Sequence, residues 1–432
     1  MREMKDSGVE WIGEIPSHWD VIKVKHVFSN HKDIVGDNVE KYERLALTLN
    51  GVIKRSKEDS EGLQPIDFKG YQILKKDDLV FKLIDLQNTQ TSRVGYSPYE
   101  GLVSPAYICL SCNGANPKFA EKYFLSLWYR HIFNSLGDSG VRSSLNVTDL
   151  INIPIVLPNT EEQQYIASFL DTKCAEIDSI SEDIRKEIET LQEYRKSIIT
   201  EAVTKGLNDS VEQKETSIEG VNSIPFHWEE SKLNYESYIR ARLGWKGLKA
   251  EEYVDEGYAF ISAFNIQNSK LVWEPINFIT KERYDESPEI KIHIGDVLLV
   301  KDGAGVGKCA RVDELTMGET APNSSIGVIT PYRRLEYRYL YYYLLTSTFN
   351  DFVLKLYNGM GVPHLTQEVL KTLRIPLPPF SEQCSISNYL DSKCAEIDSI
   401  IEDKQKQLDT LAEYRKSLIY EYVTGKKEVP TT

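Results

Sequence analysis

Nowhere in these 432 residues do apolar side chains run on for the ~20 positions that a membrane-spanning helix requires. The polar start has no signal-peptide core. The chain is therefore expected to be soluble and cytoplasmic, without a membrane partner. Cysteine is scarce, with six residues in all. Cys109 and Cys112 sit in an alternating strand-like run, and no second pair completes a zinc site. The six are read as reduced thiols and no metal is expected. A basic excess is missing too: the net charge is −14, the reverse of the usual nucleic-acid footprint. No Ser-His-Asp set, no His-Glu-x-x-His and no two-carboxylate constellation is evident, so no catalytic centre of its own is expected.

What is present is a long helix written twice. Residues 162–204 align without a gap on residues 382–424, with 27 of 43 positions identical. The shared text covers residues 170–180 and 390–400, then 193–199 and 413–419. A period this long is not a solenoid, whose units run roughly 20–50 residues. It is a duplicated half-protein. The motif Ile15-Pro16-Ser17-His18-Trp19 returns as Ile224-Pro225-Phe226-His227-Trp228, and the approach through Ile153-Pro154 to the first helix returns through Ile375-Pro376. Between these landmarks residues 20–137 and 229–358 show little alignable similarity. The scaffold is expected to be duplicated and the payload not.

Each helix follows from local patterning. Thr160 with Gln163 reads as a capping box after Pro158, and Gly206 and Gly425 read as the C-terminal stops. Leu170, Cys174, Ile177, Ile184 and Leu191 in the first helix, and Leu390, Cys394, Ile397, Leu408 and Leu411 in the second, keep a three-four spacing. Ser181, Arg195, Lys404 and Arg415 interrupt it. That pattern is a coiled-coil seam. At 1.5 Å per residue each helix spans roughly 65–70 Å, and its natural partner is its own copy, paired antiparallel with a globular unit at either end. Residues 159–207 carry 6 basic and 11 acidic side chains, whereas residues 20–158 carry 17 and 16, and residues 229–378 carry 18 and 20. The acid sits on the helices. The globular units are near neutral, so bulk charge neither supports nor excludes DNA.

The units read as strands with a packed helix, an α/β class. Strands are expected at residues 78–83, 102–110, 295–301, 308–312 and 325–330, and helices at 120–136 and 335–356. Three stretches invite a chemical reading. Gly303-Ala-Gly-Val-Gly-Lys308 resembles a phosphate loop, but Asp302 and Cys309 replace the required glycine and Ser/Thr, and it joins two strands. It reads as a hairpin tip that Lys301 and Lys308 let approach a DNA backbone. Leu377-Pro-Pro-Phe380 lacks the asparagine of an adenine methyltransferase motif. Residues 238–247 gather Arg240, Arg242, Trp245 and Lys246 with two glycines, either as a solvated loop or as a source of base-edge and phosphate contacts.

The Trp11–Trp19 text, the helix end at residues 199–206, the loop at 242–247 and the runs at 295–308 and 319–325 resemble the specificity subunit of type I restriction–modification systems. The likeness covers essentially the whole chain. It implies two target-recognition domains, each reading one half of a split, asymmetric double-stranded DNA site. The helices would set the gap and dock two methyltransferase subunits, with two restriction/translocase subunits completing the complex. S-adenosylmethionine, ATP and Mg2+ would sit on those partners, and this chain would hold no cofactor. The layout expected is a first recognition domain at 1–158, a spacer helix at 159–207 and a link with the repeated motif at 208–227. A second recognition domain at 228–379, a second helix at 380–425 and a polar tail at 426–432 follow. DNA contacts are expected from Arg93, Tyr96, Arg142, Ser143 and Ser144 in the first domain. Arg240, Arg242, Trp245, Lys246, Lys301, Lys308 and His364 are expected to serve in the second. The competing readings are a coiled-coil scaffold that binds proteins, and a single-chain enzyme.

Overall fold

The structure is a computed structural model that describes residues 2–59, 67–88, 91–136, 144–241, 248, 250–303, 305–355 and 364–430. It divides into two compact units. Unit 1 comprises Met1–Ile184 with Gln405–Thr432, and unit 2 comprises Arg185–Lys404. The long helices, Thr160–Lys205 and Phe380–Val423, each contribute one half to either unit. Among the described residues no helix is long and apolar enough to cross a membrane.

Inside each unit the two helix halves run antiparallel. In unit 1 the Phe169 and Tyr422 rings lie 4.7 Å apart, and further along the pair Arg415 reaches Asp178 at 3.7 Å. In unit 2 Arg195 reaches Asp398 at 3.5 Å and Glu187 pairs with Lys404. The seam is buried where it meets a globular body. Leu170, Cys174, Ile177 and Ile184 are buried, as are Leu390, Cys394 and Ile397, while Leu191, Leu408 and Leu411 are half-buried. Arg195 and Arg415, the seam breakers, are therefore ion-paired across the helix pair.

The helix starts are built differently from the expected capping box. Asn159, not Thr160, caps the first helix: its Oδ1 accepts from the Glu162 N–H at 2.9 Å. Glu162 is thus free for another task. Its carboxylate accepts from Trp19 Nε1 at 3.1 Å, pairs with His18 at 3.1 Å and with Arg2 at 3.1 Å. The second copy repeats this: Glu382 accepts from Trp228 Nε1 at 3.1 Å and pairs with His227 at 2.8 Å. Both indoles are fully buried. The Gln that follows is also buried and braces the body. Gln163 accepts from Asn116 N and donates to Pro158 O, as Gln383 accepts from Glu336 N and donates to Pro378 O.

The opposite helix ends close on the same tryptophans. Gly206 has φ +82°, and a Cβ there would lie 3.2 Å from the Trp228 ring and 3.3 Å from the Glu382 carboxylate. Gly425 has φ +69°, and a Cβ there would overlap Pro16 and lie 3.2 Å from Trp19. Both demands select glycine.

The globular bodies correct the expectation of an unduplicated payload. In unit 1 four strands lie in the order Phe28–His31, Ile108–Cys112, Leu79–Phe81 and Val94–Tyr96. In unit 2 the order is Ser237–Arg240, Ile326–Pro331, Val297–Val300 and Cys309–Arg311, with the same antiparallel senses. A second sheet in each holds one parallel pair, Arg44–Thr48 with Gly101–Val103 and Tyr258–Ile261 with Thr320–Pro322. The Asp20–Lys23 and Glu229–Lys232 strands pair with Pro154–Leu157 and Arg374–Leu377, tying each His-Trp motif to the approach to a long helix. The topology is duplicated although the sequence is not alignable.

Three expected elements split. The run at 102–110 is two strands, because Ser104–Tyr107 closes a turn. The helix at 120–136 is Pro117–Tyr129 and Ile132–Leu136, broken where His131 adopts φ +58°. The second is Tyr337–Tyr343 and Ser347–Lys355, interrupted where Leu344 C-caps the first helix and Thr346 Oγ1 accepts from the Phe349 N–H in the second.

Each body also grips its helix through one repeated aspartate. Asp171 receives Lys118 at 2.9 Å and Lys122 at 3.1 Å. Asp391 receives Arg338 at 2.9 Å, Arg311 at 2.5 Å and the Tyr342 hydroxyl at 2.6 Å. Burial pushes both carboxyls up, and these hydrogen bonds and charges outweigh it, holding both below the usual carboxylate range. Their contribution is present above the unfolded value of about 3.9 and is lost as pH falls through the lower folded value. Lowering the pH from 5 to 3 should reduce the urea midpoint, and Asp391→Asn should flatten that dependence. A second check concerns the tryptophan clasp. Glu382→Ala leaves a buried indole N–H without an acceptor and should cost about 1–3 kcal/mol, read as a fall in thermal midpoint, whereas Glu→Ala at the exposed Glu396 of the same helix should cost under about 0.5 kcal/mol.

Candidate nucleic-acid interface

The sequence-derived contact residues separate into three groups. Arg142, Ser143, Arg242, Trp245 and Lys246 lie outside the described residues. Arg93 and Arg240 are buried, and the structure corrects the expectation that they face a ligand. Arg93 is fully buried, donating to the backbone carbonyls of Asp85 at 2.6 Å and of Asn88. It braces its own loop. Arg240 donates to Asp296 at 2.7 Å and to Lys291 O at 3.1 Å, and it also binds Thr330. A buried arginine held by a carboxylate is committed, since removing either partner strands a charge.

The remaining residues lie at the surface. Tyr96 is half-buried, its hydroxyl held by Asp77, and burial with that bond pushes its pKa up to about 12. Ser144 is exposed, next to Leu145, whose N–H bonds Leu83 O at 3.0 Å. Unit 2 repeats this link through Leu365 N–H to Lys301 O at 2.8 Å. The link brings Lys301 and His364 together on Asp302, which pairs with both. Lys308 is exposed on the hairpin between Val297–Val300 and Cys309–Arg311. The glycine-rich stretch is thus a strand-to-strand tip, as its sequence predicts, and Asp302 just before it bridges to His364. Among the described residues no group of three or more His, Cys, Asp or Glu could hold a metal ion. Burial pushes the Cys109 and Cys309 thiols up to about 12, which makes both inert.

Sequence reasoning missed a buried carboxylate that both units carry. Asp78 accepts from His31 Nε2 at 2.7 Å, Ser111 Oγ at 2.7 Å and Lys75 N at 2.9 Å. Asp296 accepts from Arg240 at 2.7 Å, the Thr330 hydroxyl and His293 N at 2.8 Å. The positions correspond strand by strand. His31 faces Cys109 and Ser29 faces Ser111, as Arg240 faces Val328 and Tyr238 faces Thr330. In each case the N–H comes from three residues before the aspartate. Asp77 at φ +69° and Gly295 at φ +90° make the same turn. The signal in sequence is only an aspartate before an apolar strand, which is too common to single out.

A profile for the type I restriction modification DNA specificity domain matches residues 16–190 and 243–410. The chain is 25% identical over 446 aligned residues to the putative type I restriction enzyme MjaX specificity subunit of Methanocaldococcus jannaschii, covering 97% of this chain and 96% of that one. It is 28% identical over 281 residues to the MjaVIII specificity subunit of the same organism, an alignment that spans 64% of this chain and only 63% of that protein. A chain from a structural study of complex assembly and conformational transition of the type I R-M system superposes with a TM-score of 0.72 at 15% identity, covering 96% and 99% of the two chains. The HsdS subunit of Thermoanaerobacter tengcongensis gives 0.51 at 15% identity, over 96% and 98%. These structures share the fold.

Arg240 and Asp296 give a direct test of the buried carboxylate. Arg240→Ala should destabilise unit 2 by about 3–5 kcal/mol, the range for breaking a buried pair. The double variant Arg240→Met with Asp296→Leu should recover much of that loss in a denaturant titration.

Proposed function

Because the chain belongs to the type I restriction modification DNA specificity family, we propose that each unit reads one half of a split, asymmetric duplex site, and that the paired helices set the gap between the halves. The observation that carries this is one fold presented twice on a repeated helical frame with unlike surfaces. A repeated frame suits the two-fold symmetry of a DNA backbone, and unlike surfaces suit two unlike half-sites. The acidic helices dock two methyltransferase subunits, and two restriction/translocase subunits join that complex in the cytoplasm. S-adenosylmethionine, ATP and Mg2+ belong to those partners. This chain positions DNA and transfers nothing itself.

On this reading the surface cations matter more than the net charge. At one hairpin tip of unit 2 Lys301 and His364 stand on either side of Asp302, which pairs with both, and the exposed Lys308 suits a phosphate contact. Tyr96 and Ser144 would serve unit 1, and Arg142, Ser143, Arg242, Trp245 and Lys246 remain assigned to DNA on sequence grounds.

Two experiments test the proposal. The purified chain with S-adenosylmethionine and DNA should show no methyl transfer until methyltransferase subunits are added, and transfer without a partner overturns the division of labour. The ruler is tested by inserting four residues after Glu189 and four after Asp409, which lengthens each helix by about 6 Å. The preferred gap should grow by about one or two base pairs with both half-site sequences unchanged. Methylation of a library randomised in gap length reads this directly. An unchanged gap in a stably folded double insertion, or equal use of several gaps by the parent chain, defeats it.

A further inference from the structure

The two units differ directly above the feature they share. In unit 2 Arg240, held from beneath by Asp296, lines the floor of a groove of about 410 Å³. Its walls include Asn234, Tyr238, Tyr332, Gln367, Lys371 and Glu289. Tyr238 is 50% exposed and Tyr332 49%, although neither needs to be open to complete the fold. Gln367 and Lys371 stand four residues apart on one short helix, so they share a face.

The register fixes the equivalent positions in unit 1. Ser29 replaces Tyr238, since each faces the hub hydroxyl residue across the sheet. Asn113 replaces Tyr332, two residues beyond Ser111 and Thr330. Val147 and Ile151 replace Gln367 and Lys371, counted from the Leu145 and Leu365 links. Lys25 replaces Asn234, one residue after the paired Val24 and Leu233 bonds to Ile153 O and Leu373 O. Every one of these wall residues changes chemical class, while the carboxylate below keeps its three donors.

We propose that this groove is the surface with which unit 2 reads its half-site, taking the edges and backbone of duplex DNA. This rests on the split-site reading above and names the site within it. The Gln367 amide suits the paired donor and acceptor of adenine, and Lys371 suits a phosphate. Asp296 and Arg240 are positioning residues. The carboxylate fixes the guanidinium, and the guanidinium lies 5.6 Å from the centre of the Tyr238 ring, which holds that ring at the groove wall.

The test uses the full chain with its methyltransferase subunits and a pool of randomised duplexes at fixed salt. The parent should enrich a split motif; if none emerges, the split-site reading fails and the groove assignment falls with it. The triple variant Tyr238→Ser, Gln367→Val, Lys371→Ile installs the residues of unit 1. It should lose or change one half of the motif, with at least tenfold weaker binding to the parental site, and leave the other half untouched. In a separate salt titration, Lys371→Ala alone should lower the slope by about 1. Gln367→Glu, which leaves the fold undisturbed, covers the case in which the triple variant unfolds and should alter preference at one base position. The double variant Arg240→Met with Asp296→Leu, which leaves no stranded buried charge, should weaken the same half while the chain stays folded in a denaturant titration, an effect that a merely structural role would not give. A folded triple variant that keeps both halves and parental affinity overturns the proposal, as does uniform weakening with both preferences intact.

Discussion

Two buried tryptophans hold the architecture together, because each is the place where a body, a helix start and a helix end meet. The indole N–H of Trp19 needs an acceptor once it is buried, and the first turn of the Thr160–Lys205 helix supplies Glu162. The far end of the other long helix closes on the same ring through Gly425. Trp228, Glu382 and Gly206 repeat the junction in unit 2. A carboxylate on a first helical turn is already favoured by the helix dipole. Giving it the indole and a histidine as well makes the start of each helix dependent on a body that precedes it in the chain. Arg2 adds to the junction of unit 1 by donating to the Gly425 carbonyl at 3.0 Å, satisfying one of the helix's last free acceptors.

The second constraint lies inside each body. Asp78 and Asp296 are buried acids, and a buried acid is tolerated only when its oxygens are filled. Each is filled by a cationic or imidazole side chain from the first sheet strand, a hydroxyl from the neighbouring strand and a backbone N–H from its own turn. That arrangement ties three segments at one point and fixes the register between strands whose side chains are otherwise free to differ. The two bodies reach it with His31 in one case and Arg240 in the other, and with Ser111 or Thr330 as the hydroxyl. The geometry has been kept where the residue types have not.

Much of this was legible in the sequence for a physical reason. The repeated helices, their seam and their glycine stops follow from periodicity and local chemistry, and Gly206 and Gly425 do adopt positive φ. The hairpin tip at Gly303–Lys308 followed from the strands on either side. What escaped was set by contacts distant in sequence. The glutamates of the first helical turn looked like dipole partners, and only the fold shows that Trp19 and Trp228 bind them. Arg93 and Arg240 looked available because arginine usually is; their burial depends on carbonyls and a carboxylate brought up by tertiary packing. The duplication of the bodies was invisible because topology and register, rather than side-chain identity, are what they share.

An acidic chain in a DNA specificity family is less contradictory once its acids are placed. Asp171 and Asp391 are spent on lysines and arginines of the bodies, and Glu162 and Glu382 on the tryptophan junctions, so these charges stabilise the frame instead of repelling a ligand. The surfaces left to vary are the walls above the Asp78 and Asp296 hubs and the hairpin tips. Exposed substitutions away from buried networks usually change stability by under about 0.5 kcal/mol. A body whose fold is pinned from beneath by a filled carboxylate can therefore exchange tyrosine for serine, or lysine for isoleucine, on the wall above it without losing its strand register. The separation of a fixed hub from a free wall lets one fold serve twice in a chain with two unlike surfaces.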